Sequence, residues 1–176
     1  MKKMIASLIL IILVSLCIST NPFQREFAGV TLHFRANLNE AKNVPVYPNE
    51  ESLKNTLLNP DVSRIKIAYI PNETENPYYL ADAYELAYKL TIINEYYFQK
   101  VKPIITLPLN KTTQAFDFAS YDEPVILLLG PSQTNLTAVT VRGYVIFVEG
   151  KSFLEINRTY TDLDLSVDKV LLVLMS

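Results

Sequence analysis

The sequence predicts an α/β domain: a single layered unit with a largely parallel sheet, helices packed on it, a short β hairpin and a C-terminal helix. Three observations carry this prediction. Short apolar runs alternate with longer segments of helical period, the order expected of strand–helix–strand units. Residues 124–129 end in Val-Ile-Leu-Leu-Leu with no alternation, which suits a central strand covered on both faces. Leu80, Ala83, Leu86, Ala87, Leu90 and Ile93 keep the i, i+3, i+4, i+7 spacing of one long helix.

Taken in order, residues 30–36 read as a strand, with Leu32 and Phe34 on one side and His33 and Arg35 on the other. Pro45 and Pro48 mark a loop. Asn49 is placed to cap a short helix over residues 50–58, with Glu50 and Glu51 at its positive end and Asn59-Pro60 stopping it. Residues 64–70 form a strand ended by Pro71. The long helix starts at Pro77, with Asn76 as the expected cap, and runs to about Gln99. Asp82, Glu85 and Lys89 form a narrow charged stripe on it that is expected to face water. Tyr84, Tyr88 and Ile92 form a second apolar side that another segment or a partner must cover.

Residues 103–109 read as a strand placed towards an edge by Pro103 and Pro108. Residues 112–123 carry aromatics without a clear period. Residues 139–148 read as a hairpin around Arg142-Gly143, broken off by Gly150. Residues 162–167 alternate as a strand would. Leu163, Val167, Val170, Leu171 and Leu174 have helical spacing, however, and Thr161 with Asp164 matches a capping box, so a C-terminal helix is expected.

Lys2 and Lys3 precede an apolar run over residues 4–18, a basic region and a core of signal-peptide length. The expected organisation is therefore a signal peptide or N-terminal membrane anchor over residues 1–19, a linker over 20–29, and one α/β extracytoplasmic domain over 30–176. Cleavage after Ser19, retention as an anchor, and lipidation at Cys17 are the three alternatives. Leu16 stands where a lipidation motif prefers a small residue. The sequon N-x-[ST] occurs at Asn72, Asn110, Asn135 and Asn157, which makes these four the candidate glycosylation sites of an exported chain. The first three follow strands, and in a parallel sheet they share its carboxyl edge.

The composition excludes much chemistry. Lys plus Arg is 16 against 18 Asp plus Glu, which argues against a nucleic-acid surface. One Cys and one His exclude an internal disulfide, a Cys-based zinc site and a His-rich metal site. The chain holds 4 glycines and neither a dinucleotide-binding nor a P-loop pattern. Ser132 lacks the G-x-S-x-G surround of a nucleophile elbow, and nothing brings His33 to it. Asp162, Asp164, Ser166 and Asp168 start like a calcium loop, but Val167 and Val173 stand where its Gly and Glu belong, so these carboxylates are expected to be solvated. No catalytic residue, cofactor or metal ligand set is assigned.

The tyrosines are the least ordinary feature: of 11, six (78, 79, 84, 88, 96 and 97) fall in the long helix. Tyrosine offers a large contact area with a polar tip, which suits interfaces. The expectation is an exported, envelope-associated domain without catalytic function that binds another surface protein or a glycan. Tyr84, Tyr88 and Ile92 are its interface candidates, the N-terminal segment meets the membrane, and the partner is another protein or a second copy. The alternatives are an exported hydrolase or small-ligand-binding protein using the carboxyl edge around Asn72, Glu73, Gly130 and Ser132, and a membrane-anchored accessory subunit of a larger complex.

Overall fold

A computed structural model describes residues 21–153 and 158–176. Residues 1–19, with Cys17, and the sequon residue Asn157 lie outside the described residues. The elements in chain order are β1 (Gln24–Phe27), β2 (Val30–His33), α1 (Leu38–Ala41), β3 (Val46–Tyr47), α2 (Glu50–Leu57), β4 (Ile65–Tyr69), α3 (Asn76–Phe98), β5 (Ile104–Pro108), α4 (Gln114–Phe118), β6 (Val125–Leu129), β7 (Ala138–Arg142), β8 (Val145–Glu149) and α5 (Asp162–Leu174). Among the described residues no helix is long and apolar enough to cross a membrane.

The main sheet has six strands in the order β3-β7-β8-β6-β4-β5. β8, β6, β4 and β5 are mutually parallel, while β7 runs antiparallel to β8 and β3 parallel to β7. The α/β class, the mostly parallel sheet and the C-terminal helix are thus as the sequence implies. β6 lies inside the sheet and all five of its residues are buried, as its unbroken apolar run requires. β5 is an edge strand, consistent with its flanking prolines. β7 and β8 form the expected hairpin, and Gly143 takes φ +61° at the first position of the two-residue turn, where a side chain is disfavoured.

The two sheet faces are covered unequally. Ile65, Ile67, Ile126, Leu128, Val139, Ile146 and Val148 point to a large core shared with α1, α2, α3, α5 and the β1–β2 hairpin. The alternate positions Ala68, Val125, Leu127, Leu129, Val145 and Phe147 form a smaller core. Among the described residues the one helix over it is the short α4, with Ala115 inserted and Phe116 against Phe147 at 5.9 Å. Phe116, Phe118 and Tyr144 remain exposed around this thin cover.

Local signals explain several elements. Asn49 accepts from the Ser52 amide at 2.9 Å and caps α2. The Thr161–Asp164 capping box of α5 is complete, with 2.9 Å from the Asp164 amide to Thr161 Oγ1 and 2.6 Å from the Thr161 amide to Asp164 Oδ2. Other expectations need correction. The stretch read as a linker contains β1, paired with β2 over four residues and anchored by the buried Phe27. The aromatic stretch without a clear period contains α4, too short to show one. Asn76 begins α3 without capping it, and its side chain instead accepts from the Asn72 amide at 3.0 Å.

The largest departure concerns α5. Every residue from Asp162 to Leu174 is buried, so its carboxylates are not solvated. The helix packs against β7, β8, α1, α2 and α3. Its apolar residues leave no wet side, and each polar residue ties down another segment. Asp162 accepts from Thr137 and Ser152, Ser166 donates to the Glu149 carbonyl at 2.7 Å, Asp168 accepts from the Ala36 amide at 2.8 Å, and Lys169 reaches the Lys42 carbonyl and Glu50. The start of α5 passes so close to β8 that a Cβ on Gly150 would lie 2.3 Å from the Leu163 nitrogen and 2.6 Å from its Cα. Both contacts are with backbone and cannot be relieved by a rotamer. Gly150→Ala is therefore expected to cost at least about 2 kcal/mol, the upper range for overpacking, read as a lowered urea midpoint at unchanged slope.

Candidate functional site

The candidate site is the helix α3, whose two faces are used in an unexpected way. Its apolar residues Ala83, Leu86, Leu90 and Ile93 pack into the main core as their spacing requires. The charged stripe expected to face water is buried as well: Asp82 is 0 % exposed, Lys89 2 % and Glu85 6 %. The reason lies outside the helix. α5 presents Asp164 and Asp168 to it, and Arg35 reaches in from the chain after β2. Arg35 Nη1 lies 3.2 Å from Asp82 Oδ1, and its Nε lies 3.0 Å from Asp164 Oδ1 and 3.9 Å from Glu85 Oε2. Lys89 pairs with Glu85 one turn away and lies over the Phe34 ring, 3.9 Å from its centroid. The carboxylates of α5 thus meet the positive charges of Arg35 and Lys89, with Asp82 and Glu85 drawn into the same buried cluster.

This cluster is strongly biased electrostatically. Burial, followed by the charge of Asp164, holds the Asp82 carboxyl well above the usual carboxylate range. Burial and the charge of Glu85 do the same to Asp168, against the opposing pull of Lys89 and the Ala36 amide. One carboxylate oxygen from each of Asp82, Glu85 and Asp164 lies within 4.8 Å of the others, so these three could together ligate a metal ion. The sequence offered no such ligand set, because Asp164 is distant in the chain. The signal that could have found it is the all-round apolar character of α5, which implies burial of whatever charges it carries.

With its charges inside, α3 shows its tyrosines to solvent. Tyr84 is 75 % exposed, and Tyr88 and Leu80 are each 53 % exposed. Ile92, the third interface candidate, is half-buried against the core. The other helix tyrosines have partners. Tyr79 is buried against Tyr69, Tyr78 stacks on Phe153 at 4.3 Å, and Tyr96 and Tyr97 pack on Phe27 at 4.9 and 6.4 Å. Among the described residues Tyr84 and Tyr88 make no ring contact. Between Leu80 and Ile92 every charged side chain is buried, so the outward surface of more than three helical turns carries no charge.

The carboxyl edge of the sheet is filled by a closed polar network. Glu75 accepts from the Ser132 amide at 3.0 Å and hydroxyl at 2.8 Å, and from the Tyr79 hydroxyl at 2.5 Å. The Gly130 amide donates to the Tyr79 oxygen at 2.9 Å. Burial and Glu75 push the Tyr79 hydroxyl well above its usual pKa. Ser132 is thus held by a carboxylate, while His33 sits on the hairpin beside Gln24 at 3.1 Å. A cleft of about 400 Å³ opens near this edge, lined by residues that include Glu40, Thr137, Arg158 and Asp162. The Asp162 carboxylate there is already engaged by Thr137, Ser152 and Arg158.

Asn72, Asn110 and Asn135 follow β4, β5 and β6, and so lie along this same edge. Asn110 and Asn135 are exposed. Asn72 is half-buried, with Oδ1 accepting from the amide and hydroxyl of Thr74 at 3.1 and 2.9 Å.

The two classes of tyrosine should separate in stability measurements. Tyr79→Phe leaves buried polar partners short of a hydroxyl and is expected to cost about 1–3 kcal/mol. Tyr84→Ala and Tyr88→Ala should stay within about 0.5 kcal/mol of the parent in chemical denaturation. No protein-family model, no curated protein and no solved structure matches the chain, so its role has to be argued from this geometry.

Proposed function

We propose that this is an exported, envelope-associated domain without catalytic function, which docks on another surface protein through the outward face of α3, with Tyr84 and Tyr88 at its centre. One observation carries the reading: α3 turns its charges inward and leaves an uncharged ridge of Leu80, Tyr84 and Tyr88 in water. Residues at i, i+4 and i+8 form one ridge along a helix, and such a ridge fits an apolar groove in a partner. Burying each of these side chains is worth roughly 1.5–3 kcal/mol, enough to make the ridge the anchor of a complex. A protein groove is favoured over a glycan because this face lacks the charged and amide groups that hydrogen-bond sugar hydroxyls. The basic start and apolar run of residues 2–18 support export, and the four sequons support an extracytoplasmic domain. The closed hydrogen bonding around Ser132 and Asp162 speaks against a hydrolytic centre at the carboxyl edge.

The test is cross-linking of the full-length protein in its native membranes, comparing the parent with Tyr84→Asp and Tyr88→Asp, alongside melting curves. Loss of one defined cross-linked protein with an unchanged melting temperature is the expected result. Retention of every cross-link by the doubly substituted chain overturns the docking face, and unfolding of either variant would make its tyrosine part of the core. Deleting residues 1–19 should leave the protein inside the cell, as read by fractionation.

A further inference from the structure

Asparagines in the turns of this fold divide into two kinds. Asn37, Asn49 and Asn59 each accept a backbone amide two or three residues on, at 2.9 Å, and so hold their turns. Asn72 belongs with them. Its Oδ1 takes the amide and hydroxyl of Thr74, and its carbonyl takes the Glu75 and Asn76 amides at 3.0 and 2.8 Å, at the start of α3. Asn110 and Asn135 differ. Both are exposed, and among the described residues the side chain of neither makes a hydrogen bond. Asn110 is engaged only through its backbone amide, which donates to Gln114 Oε1 at 2.8 Å. Both stand in the pattern N-x-T, with Thr112 and Thr137 two residues on. They also share one place in the fold. The chain after β6 runs to the start of β7, which pairs with Glu149 at the carboxyl end of β8, so that stretch begins and ends at one edge of the sheet. The turn after β5 leaves from the same edge, and only β4 separates β5 from β6, a span of roughly 10 Å.

We propose that Asn110 and Asn135 carry N-linked glycans in the exported protein, while Asn72, in the same N-x-T pattern, stays bare and serves the fold. Glycan transfer forms a bond from the Asn Nδ2 to C1 of the first sugar. It breaks the bond from that carbon to the phosphate of a lipid-linked oligosaccharide donor, and one Nδ2 proton leaves with the released lipid phosphate. The product is still a planar amide, now with a bulky polar group that has to stand in water. At Asn110 and Asn135 the fold accepts this group without giving up a hydrogen bond. At Asn72 the half-buried side chain would have to leave Thr74, which opens the turn that starts α3. Two glycans here cover the edge already closed by Glu75, Tyr79 and Ser132. They leave the docking ridge clear, because Tyr84 lies eight residues, about 12 Å, along α3 from its start at that edge. The assignment rests on the export proposed above and is independent of the docking face.

The experiment is glycopeptide mass spectrometry on full-length protein purified from the membranes or medium of its source cells, with Asn72→Gln, Asn110→Gln and Asn135→Gln made in the same cells. The expected result is a sugar-bearing peptide at Asn110 and at Asn135 and an unmodified one at Asn72. Asn110→Gln and Asn135→Gln should each remove one step of electrophoretic mass and leave the fold intact, as read by circular dichroism. Asn72→Gln should leave the mass of attached sugar unchanged and lower the melting temperature, because the longer side chain no longer closes the turn with Thr74. Unmodified Asn110 and Asn135 in protein recovered outside the cytoplasm overturn the assignment and leave export standing. Sugar on Asn72 with bare Asn110 and Asn135 overturns it too. Protein found only in the cytoplasm removes the export reading and this assignment with it.

Discussion

A helix with no exposed side needs a partner for every polar atom it carries, and α5 is such a helix. Its burial between the sheet and three other helices fixes where the rest of the chain can go. Asp168 takes the Ala36 amide and so sets the path after β2. Lys169 holds the chain after α1 and the start of α2. Asp162 gathers the loops before β7 and after β8. Apolar contact alone would let these segments slide, because it has no direction. The hydrogen bonds from α5 give each one a register.

The same constraint decides which way α3 faces. An amphipathic helix normally turns its charges to water because desolvating them is costly. Here the surface under α3 contains the buried carboxylates of α5, and the helix face that meets them carries Lys89 together with Asp82 and Glu85, with Arg35 closing the cluster from the chain after β2. α3 therefore shows water a surface that in most proteins would be packed. Two features that look separate, an exposed tyrosine ridge and a buried charge cluster, are opposite ends of one rotation of the helix about its axis.

What the sequence made legible follows from how local each signal is. The Asn49 cap, the Thr161–Asp164 box, the unbroken apolar run of β6 and the turn at Gly143 are each settled within a few residues, and the structure has them all. β1 was hidden because Gln24-Arg25-Glu26-Phe27 has little strand character and is held by pairing with β2 and by Phe27. α1 and α4, of four and five residues, are too short for a period to emerge. The orientation of α3 was misread because the groups that decide it, Arg35, Asp164 and Asp168, lie far from it in sequence. Spacing rules describe which residues share a face, and only tertiary contacts say which face is wet.

The distance between α5 and the segments it organises also has a kinetic side. The bond between Ala36 and Asp168 spans 132 residues, and that between Arg25 and Met175 spans 150. A chain emerging from its N-terminal end has made β4, α3 and β6 before the helix that covers them exists. Until then Ile67, Leu86, Leu90 and Ile126 have no complete core to enter, and the carboxylates of α3 have only Arg35 and Lys89 for company. Contacts of such high sequence separation slow folding and prolong the life of partly collapsed states with bare strand edges. The arrangement therefore leaves the core over β4, β6 and α3 incomplete until α5 docks.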